Sequence, residues 1–122
     1  MIGDPRPRQT FPRSARLRAK RDFDRVFQFR LRASDGWITL FACQGPATHA
    51  RLGIAVGKTA GSAVRRNRRK RLAREAFRRL RHELPAHTDW VLILRSGPEP
   101  TVDQLQQSLR RLSARLRERL GN

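Results

Sequence analysis

Apolar positions recur at helical spacing in the stretch before Pro85. The stripe consists of Leu72, Ala73, Ala76, Phe77, Leu80 and Leu84. At 100° per residue these positions share an arc of roughly 140°, the width of a helix face that packs on a core. The opposite side carries Asn67, Arg71, Arg74 and Arg78. The pattern predicts a helix from about Ser62 to Glu83, stopped before Pro85, with one buried and one cationic face.

Shorter patterns upstream predict a helix and a strand. Phe23, Val26 and Phe27 share a face at i, i+3 and i+4, which predicts a helix from about Lys20 to Phe29. The segment WITLFAC after Gly36 alternates between two sets of side chains. It therefore predicts a strand with two different faces.

The segment ARLGIAVG predicts another strand, with one nearly bare face. Its apolar side chains Leu52, Ile54 and Val56 alternate with Gly53, Ala55 and Gly57. A face without side chains would let a helix or a ligand backbone approach the sheet closely.

The C-terminal third predicts one strand and one helix. The segment TDWVLILR contains a continuous apolar run, which is typical of a central strand covered on both faces. Thr101 and Gln104 have the spacing of a capping box, and a leucine stripe follows. We expect this helix to dock on its own sheet rather than to form a coiled-coil dimer.

These elements predict an α+β fold, a single-domain two-layer sandwich. The predicted order is α-β-β(-β)-α-β-α, with a βαβ crossover that carries the basic helix. Residues 1–13 are interpreted as a basic, flexible N-terminal arm, and residues 14–120 as a single α+β domain.

Charge narrows the choice of partner. The 122 residues carry a formal charge of +18, far outside the range of an ordinary enzyme, so a polyanion is expected: RNA, DNA or an acidic membrane. A membrane is the weakest of these, because no apolar run approaches the roughly 20 residues of a spanning helix. Cys43 is the only cysteine, so we expect no disulfide, no zinc site and a cytoplasmic location.

The first two turns of the basic helix point their charges in every direction. The arginines and lysine between Arg65 and Arg71 leave no face that could bury apolar surface. A merely solvated charged face is the alternative, but such faces normally mix both signs of charge. The pattern indicates a helix that binds nucleic acid.

Catalytic chemistry is missing from the sequence. GIAVGKT has three residues between its glycines where a phosphate-binding loop needs four. The acids are dispersed, and none of His49, His82 and His87 has a credible catalytic Asp or Lys partner in the sequence. We therefore predict no catalytic residue and no metal site in the protein.

Aromatic residues concentrate in the N-terminal third. If the first helix lies along the edge of the sheet, Phe23, Phe27 and Phe41 would line a groove in which bases of a single strand stack. The alternative is that these rings are core. Both interpretations stay open for Phe23, whereas the groove is favoured for Phe27 and Phe41. Trp37 is expected to pack near an edge.

The segment AVRRNRRKRLAREAF, Ala63 to Phe77, resembles the signature of the bacterial ribonuclease P protein component. FPRSARLRAKRDFDRVF, RLGIAVGK and DWVLILR resemble the family's flanking regions. The resemblance implies a left-handed βαβ crossover and an RNA subunit that is the catalyst. It also implies that Mg²⁺ is required by the holoenzyme and not bound by the protein. The implied partners are the catalytic RNA and precursor tRNA, with one protein per RNA and no membrane.

The resemblance also assigns residues to each partner. Those implied to dock on the catalytic RNA are Arg65, Arg66, Asn67, Arg68, Arg69, Lys70, Arg71 and Arg74. Those implied to hold the 5′ leader of precursor tRNA are Phe23, Phe27, Phe41 and Lys58. Thr59 stands where the family often has a second lysine, and Phe41 occupies a position that is not uniformly aromatic.

Two other function classes remain as alternatives. A structural rRNA-binding protein of ribosomal type would also need the basic helix and arm, but not the aromatic groove. A DNA architectural protein would prefer a duplex over structured RNA with a single-stranded leader.

Overall fold

The computed structural model describes residues 13–57 and 61–120. Its helices are α1 (Lys20–Phe29), α2 (Ala63–Leu80) and α3 (Val102–Arg119), and its strands are β1 (Leu31–Ser34), β2 (Ile38–Gln44), β3 (Arg51–Val56) and β4 (Thr88–Leu94). Short 3₁₀ turns span Arg13–Ala15 and Arg81–Glu83. Residues 1–12 of the predicted arm lie outside the described residues.

One four-stranded sheet organises the chain, in the order β1-β2-β4-β3. β2 is antiparallel to both β1 and β4, whereas β3 runs parallel to β4. β4 is therefore internal, and all but one of its residues are buried. The central strand predicted from TDWVLILR is confirmed.

Helices cover both faces of this sheet. α2 and α3 bury the larger core against one face, where Phe77 and Leu109 pack with Leu40 and Leu92. α1 buries Val26 on the opposite face, next to Cys43 and Val91 of the sheet. The α+β class is confirmed, but the two-layer arrangement is corrected to three layers, because alternate residues of β2 and β4 are apolar on both sides.

α1 has the bounds predicted from its apolar spacing, but the edge position on which the groove hypothesis depends is not found. The helix packs across the central strands β2 and β4 instead of along an edge, because Val26 needs an apolar sheet surface to cover it. The outer edge of β3 is met instead by the N-terminal segment, where the Leu17 amide donates to the Leu52 carbonyl at 3.0 Å.

α3 begins at the predicted capping box. The Thr101 hydroxyl accepts from the Gln104 amide at 3.1 Å, and the Gln104 side chain accepts from the Thr101 amide at 2.9 Å. The leucines that face the sheet are all buried: Leu105, Leu109, Leu112 and Leu116. The prediction that this stripe docks on its own sheet is confirmed.

α2 connects the parallel strands β3 and β4, so the predicted βαβ unit is present. The α-helix ends at Leu80, and a 3₁₀ turn carries the chain on to Glu83. The helix is thus slightly shorter than predicted. The left hand of this crossover remains an expectation from the resemblance.

Candidate nucleic-acid interface

The cationic surface of α2 starts at a capped N-terminus. The Ser62 hydroxyl accepts from the Arg65 amide at 3.3 Å, which satisfies one of the free amides of the first turn. No acidic residue lies in that turn. The partial positive charge of the helix end therefore adds to the charge of the arginines that follow.

The residues predicted to contact catalytic RNA differ in exposure. Arg65, Asn67, Arg68 and Arg71 are exposed, Arg66, Lys70 and Arg74 are half-buried, and Arg69 is 7% exposed. All but Arg69 thus present surface to a partner, and we call these residues the α2 ridge.

Arg69 contacts the protein itself. Its Nη2 donates to the Gly97 carbonyl at 2.6 Å in the loop between β4 and α3. Nε and Nη1 of Arg69 are buried and find no acceptor among the described residues. At the preceding position, Arg68 Nε lies 3.1 Å from Glu99 Oε2 of the same loop. The two arginines therefore hold this loop against the start of α2.

Glu75 partly offsets the positive charge of the second half of α2. Its carboxylate accepts from Arg78 Nε at 2.9 Å and Arg78 Nη2 at 2.6 Å, and from Arg79 Nε at 3.2 Å. The hydrogen bonds from Arg78 hold the pKa of Glu75 below its usual range. Among the described residues, no carboxylate pairs with Arg65, Arg66 or Arg71, so net positive charge concentrates at the helix start.

Arg74 extends the α2 ridge toward the edge of β3. It lines a small cavity of about 130 Å³ together with Arg16, Arg18 and Leu52. Burial lowers the pKa of Arg74, and the nearby charges of Arg16 and Arg71 lower it further. The electrostatic repulsion among like charges in a half-buried cleft is reduced when an anion binds there.

An aromatic groove lies on the other face of the sheet, beside α1. The rings of Phe27 and Phe41 meet edge to face with centroids 4.9 Å apart. Arg32 places its guanidinium carbon 5.9 Å from the Phe41 centroid. These three side chains and Arg30 line an open cavity of about 450 Å³, and both rings keep part of their surface exposed. Phe27 and Phe41 thus border one open cavity, and leader binding in it stays a prediction.

Phe23 sits deeper than its two aromatic neighbours. A Cβ on Gly53 would lie 2.5 Å from Phe23 Cζ, so the ring packs directly on the bare face of β3. This close approach is the one predicted from the glycine of that strand. Phe23 therefore combines both interpretations, since its ring supports the fold and remains half-exposed.

A row of partly exposed side chains crosses the sheet beside the groove, and we call it the floor. Ser34, Thr39, Ile93 and Ala55 are consecutive partners across the four strands. Their side chains lie on the same face of the sheet as the Phe41 ring. Each of them is two positions along its strand from a residue that is paired in the row of Phe41. All four are half-buried or exposed. The row crosses all four strands, so an extended nucleic-acid strand could follow it. Lys58, the remaining leader contact predicted, lies outside the described residues.

Asp89 carries a buried charge cluster that the sequence patterns did not reveal. Its carboxylate is 0% exposed and accepts from Arg51 Nε at 2.8 Å, Arg51 Nη2 at 2.7 Å and Arg25 Nη2 at 2.7 Å. The pKa values of Arg25 and Arg51 are both raised, and the main cause in each case is the hydrogen bonding to Asp89. Arg25 also donates to Asp22 Oδ1 at 3.0 Å and to the Gln44 carbonyl at 3.2 Å.

Comparison with known proteins identifies the family. Residues 11–117 match the family model described as Ribonuclease P. The ribonuclease P protein component of Proteus mirabilis is 43% identical over 88 residues, covering 71% of this chain and 73% of that protein. That of Brevibacillus brevis is 40% identical over 99 residues, covering 80% and 79%. This chain belongs to the ribonuclease P protein family.

Solved structures of ribonuclease P proteins share the fold. The Thermotoga maritima protein superposes with a TM-score of 0.73 at 30% identity, covering 82% of this chain and 96% of that one. The Staphylococcus aureus protein gives 0.70 at 30% identity, covering 80% and 91%. The chain is thus a protein subunit of ribonuclease P, the endoribonuclease of tRNA 5′ maturation.

The ribonuclease P protein shows few groups suited to metal or acid–base chemistry. Within residues 13–57 and 61–120, no three His, Cys, Asp or Glu side chains come together as a metal site would require. His49 Nε2 lies 2.9 Å from the Ser14 carbonyl, and His82 and His87 are exposed. None of the helices described is long and apolar enough to cross a bilayer.

Proposed function

We propose that this ribonuclease P protein holds two RNA molecules on opposite faces of its sheet. The α2 ridge would bind the catalytic RNA, and the aromatic groove would bind the 5′ leader of precursor tRNA. The observation that carries the proposal is this separation: α2 packs on one face, whereas Phe27, Phe41 and Arg32 lie on the other. Two polyanions can then be held at once.

The contact with catalytic RNA is electrostatic in character. Arg65, Arg66 and Arg71 lack carboxylate partners among the described residues, so phosphates would replace no existing ion pair. Each phosphate neutralised releases counterions, which makes such binding steeply salt-dependent. Charge screening by the α2 ridge would also let catalyst and substrate approach each other. Arg69 supports this surface from beneath, through Gly97.

The contact with the leader combines stacking and charge. Partly exposed aromatic rings stack on bases without strong sequence preference, and Arg32 and Arg30 offer cations for the adjacent phosphates. The partly exposed floor of Ser34, Thr39, Ile93 and Ala55 would continue the path of the leader across the sheet. Lys58 follows β3 in sequence and is the proposed phosphate contact at that end.

We assign the chemical step to the RNA subunit. The Mg²⁺ that the holoenzyme requires would be held by RNA, because the acids described here are dispersed or already paired with arginine, as Asp89 and Glu75 are. We propose one protein per catalytic RNA, precursor tRNA as the substrate and the cytoplasm as the compartment.

Reconstitution tests the proposal. The purified protein is mixed with its cognate catalytic RNA and precursor tRNA at low Mg²⁺, and 5′ cleavage is measured. We expect the protein to stimulate cleavage, and to cleave nothing when RNA is omitted. Absence of stimulation would refute the proposed contacts with catalytic RNA and leader. Cleavage by the protein alone would refute the assignment of chemistry to RNA.

A further inference from the structure

Asp89 is a buried acid that neither RNA-binding surface contacts directly. We infer that it is a positioning residue for the leader groove, because its carboxylate fixes where α1 sits over the sheet and hence where Phe27 stands against Phe41. This role rests on the proposed leader-binding function. It adds a residue that touches no RNA yet controls how well the groove binds it.

The carboxylate joins elements that are distant in sequence. Arg25 comes from α1, Arg51 from β3 and Asp89 from β4, and the three side chains meet within hydrogen-bonding distances of 2.7–2.8 Å. Arg51 binds through two nitrogens, so its orientation is fixed as well as its distance. Arg25 additionally donates to the Gln44 carbonyl of β2 at 3.2 Å. α1 is therefore tied through one guanidinium to two neighbouring strands.

Apolar packing alone would leave the position of α1 less defined. Hydrophobic contact is non-directional, and the apolar contacts of α1 with the sheet are made by a few side chains around Val26. A buried carboxylate, in contrast, must keep its donors, since an unpaired buried charge is strongly destabilising. Small displacements of α1 that Val26 would tolerate are thus resisted by Asp89.

The position of Arg25 on α1 transmits this constraint to the groove. Arg25 lies midway between Phe23 and Phe27, two residues from each. Phe23 is confined by Gly53, where a Cβ would come within 2.5 Å of the ring. With Phe23 and Arg25 both fixed, the next turn places Phe27 edge-on to Phe41 at 4.9 Å. Gly45 completes the cluster, because a Cβ there would lie 2.5 Å from Asp89 Cγ.

The test uses Asp89→Asn, which keeps the shape of the side chain but removes its charge. Arg25→Lys is the milder second variant, because an ammonium cannot reproduce the fork of contacts to Asp89, Asp22 and Gln44. Glu83→Gln is the matched control: it removes one negative charge that pairs with Arg110 on the other face of the sheet. Holoenzymes are reconstituted with each variant, at a temperature where circular dichroism shows the variant folded.

Three quantities are measured for each variant. They are affinity for catalytic RNA, the ratio of affinities for precursor and mature tRNA, and the nuclear Overhauser effect between the Phe27 and Phe41 rings. For Asp89→Asn we expect the preference for precursor to fall about fivefold or more, the size of one weakened stacking contact. The ring-to-ring effect should weaken, and catalytic-RNA affinity should stay within about twofold. Glu83→Gln should keep the full preference.

The outcomes separate this inference from the proposed function. A folded Asp89→Asn protein with the full preference for precursor overturns the positioning role, provided that Phe27→Ala loses it. Equal losses for catalytic RNA and precursor would also overturn it, since they would reflect general destabilisation. If Asp89→Asn does not fold, Arg25→Lys decides between the same outcomes. A wild-type protein without any preference for precursor would instead refute the leader groove itself.

Discussion

The rings of Phe27 and Phe41 meet edge to face at 4.9 Å, although one belongs to α1 and the other to β2. Both remain partly exposed in a domain with few aromatic residues. This pairing preorganises a wall on which bases can stack without first ordering the side chains. It also defines where the leader groove is most sensitive to mutation.

Phe27→Ala should weaken binding of precursor tRNA by about 1–3 kcal/mol, the contribution of a stacked base. Affinity for mature tRNA should not change, because mature tRNA has no leader. The matched control is Phe29→Ala, which removes the same ring from the same helix at a position that is 55% exposed. Equal losses for both tRNAs in Phe27→Ala would refute the groove assignment.

Arg66→Ala and Arg71→Ala should each weaken binding of catalytic RNA. The slope of log affinity against log salt should fall by about 0.7–0.9 for every phosphate that the variant no longer neutralises. Titrations at several salt concentrations measure the slope directly. Arg115→Ala on α3 removes one exposed arginine away from the α2 ridge and should leave the slope unchanged. An unaltered slope in the α2 variants would mean that neither residue touches a phosphate.

Arg32→Ala should reduce the preference for precursor tRNA and act jointly with Phe41. Because its guanidinium lies 5.9 Å from the Phe41 centroid, the two side chains would contact the same nucleotide. A double-mutant cycle with Phe41→Leu should therefore give a coupling of about 0.5–3 kcal/mol. Arg21→Ala, an exposed position on another face of α1, removes the same charge and should not alter the preference. Additive effects of Arg32→Ala and Phe41→Leu would contradict a shared nucleotide.

Glu75→Gln should destabilise the protein above about pH 4.5 and have little effect in stronger acid. The hydrogen bonds from Arg78 depress the pKa of Glu75 below its ordinary value of 4.5. A depressed folded-state pKa stabilises the fold above the unfolded value, and this stabilisation is lost as pH falls through the folded pKa. The pair is largely at the surface, so we expect a difference of about 0.2–1 kcal/mol. Unfolding in urea across pH 3–7 (roughly, the titration range of a carboxyl group) measures it, and a pH-independent difference would contradict it.

Local patterns predicted the elements whose signals are contained within a few turns. α1 follows from Phe23, Val26 and Phe27, and the start of α3 follows from Thr101 and Gln104. The internal position of β4 follows from its continuous apolar run. In each case the residues that determine the element are neighbours in sequence, so periodicity and capping rules suffice.

Contacts between distant segments could not be predicted in the same way. Asp89 lies 64 residues from Arg25 and 38 from Arg51, and nothing near Asp89 in sequence marks it as the centre of a charge cluster. The burial of Arg69 was equally unpredictable, because most of the residues around it in sequence are also basic. Its side chain contacts the Gly97 loop, which is distant in sequence. The face of the sheet that α1 covers could not be predicted from α1 alone. The sheet has apolar side chains on both faces, so both faces need a covering helix.

The internal strand β4 has a consequence for how RNA meets the groove. Its amides and carbonyls are bonded to neighbours on both sides, and the floor residue Ile93 belongs to it. Backbone protons of such a strand exchange with solvent only through openings close to complete unfolding. The leader would therefore settle on one of the two internal strands of the sheet, a surface already formed before any nucleotide arrives.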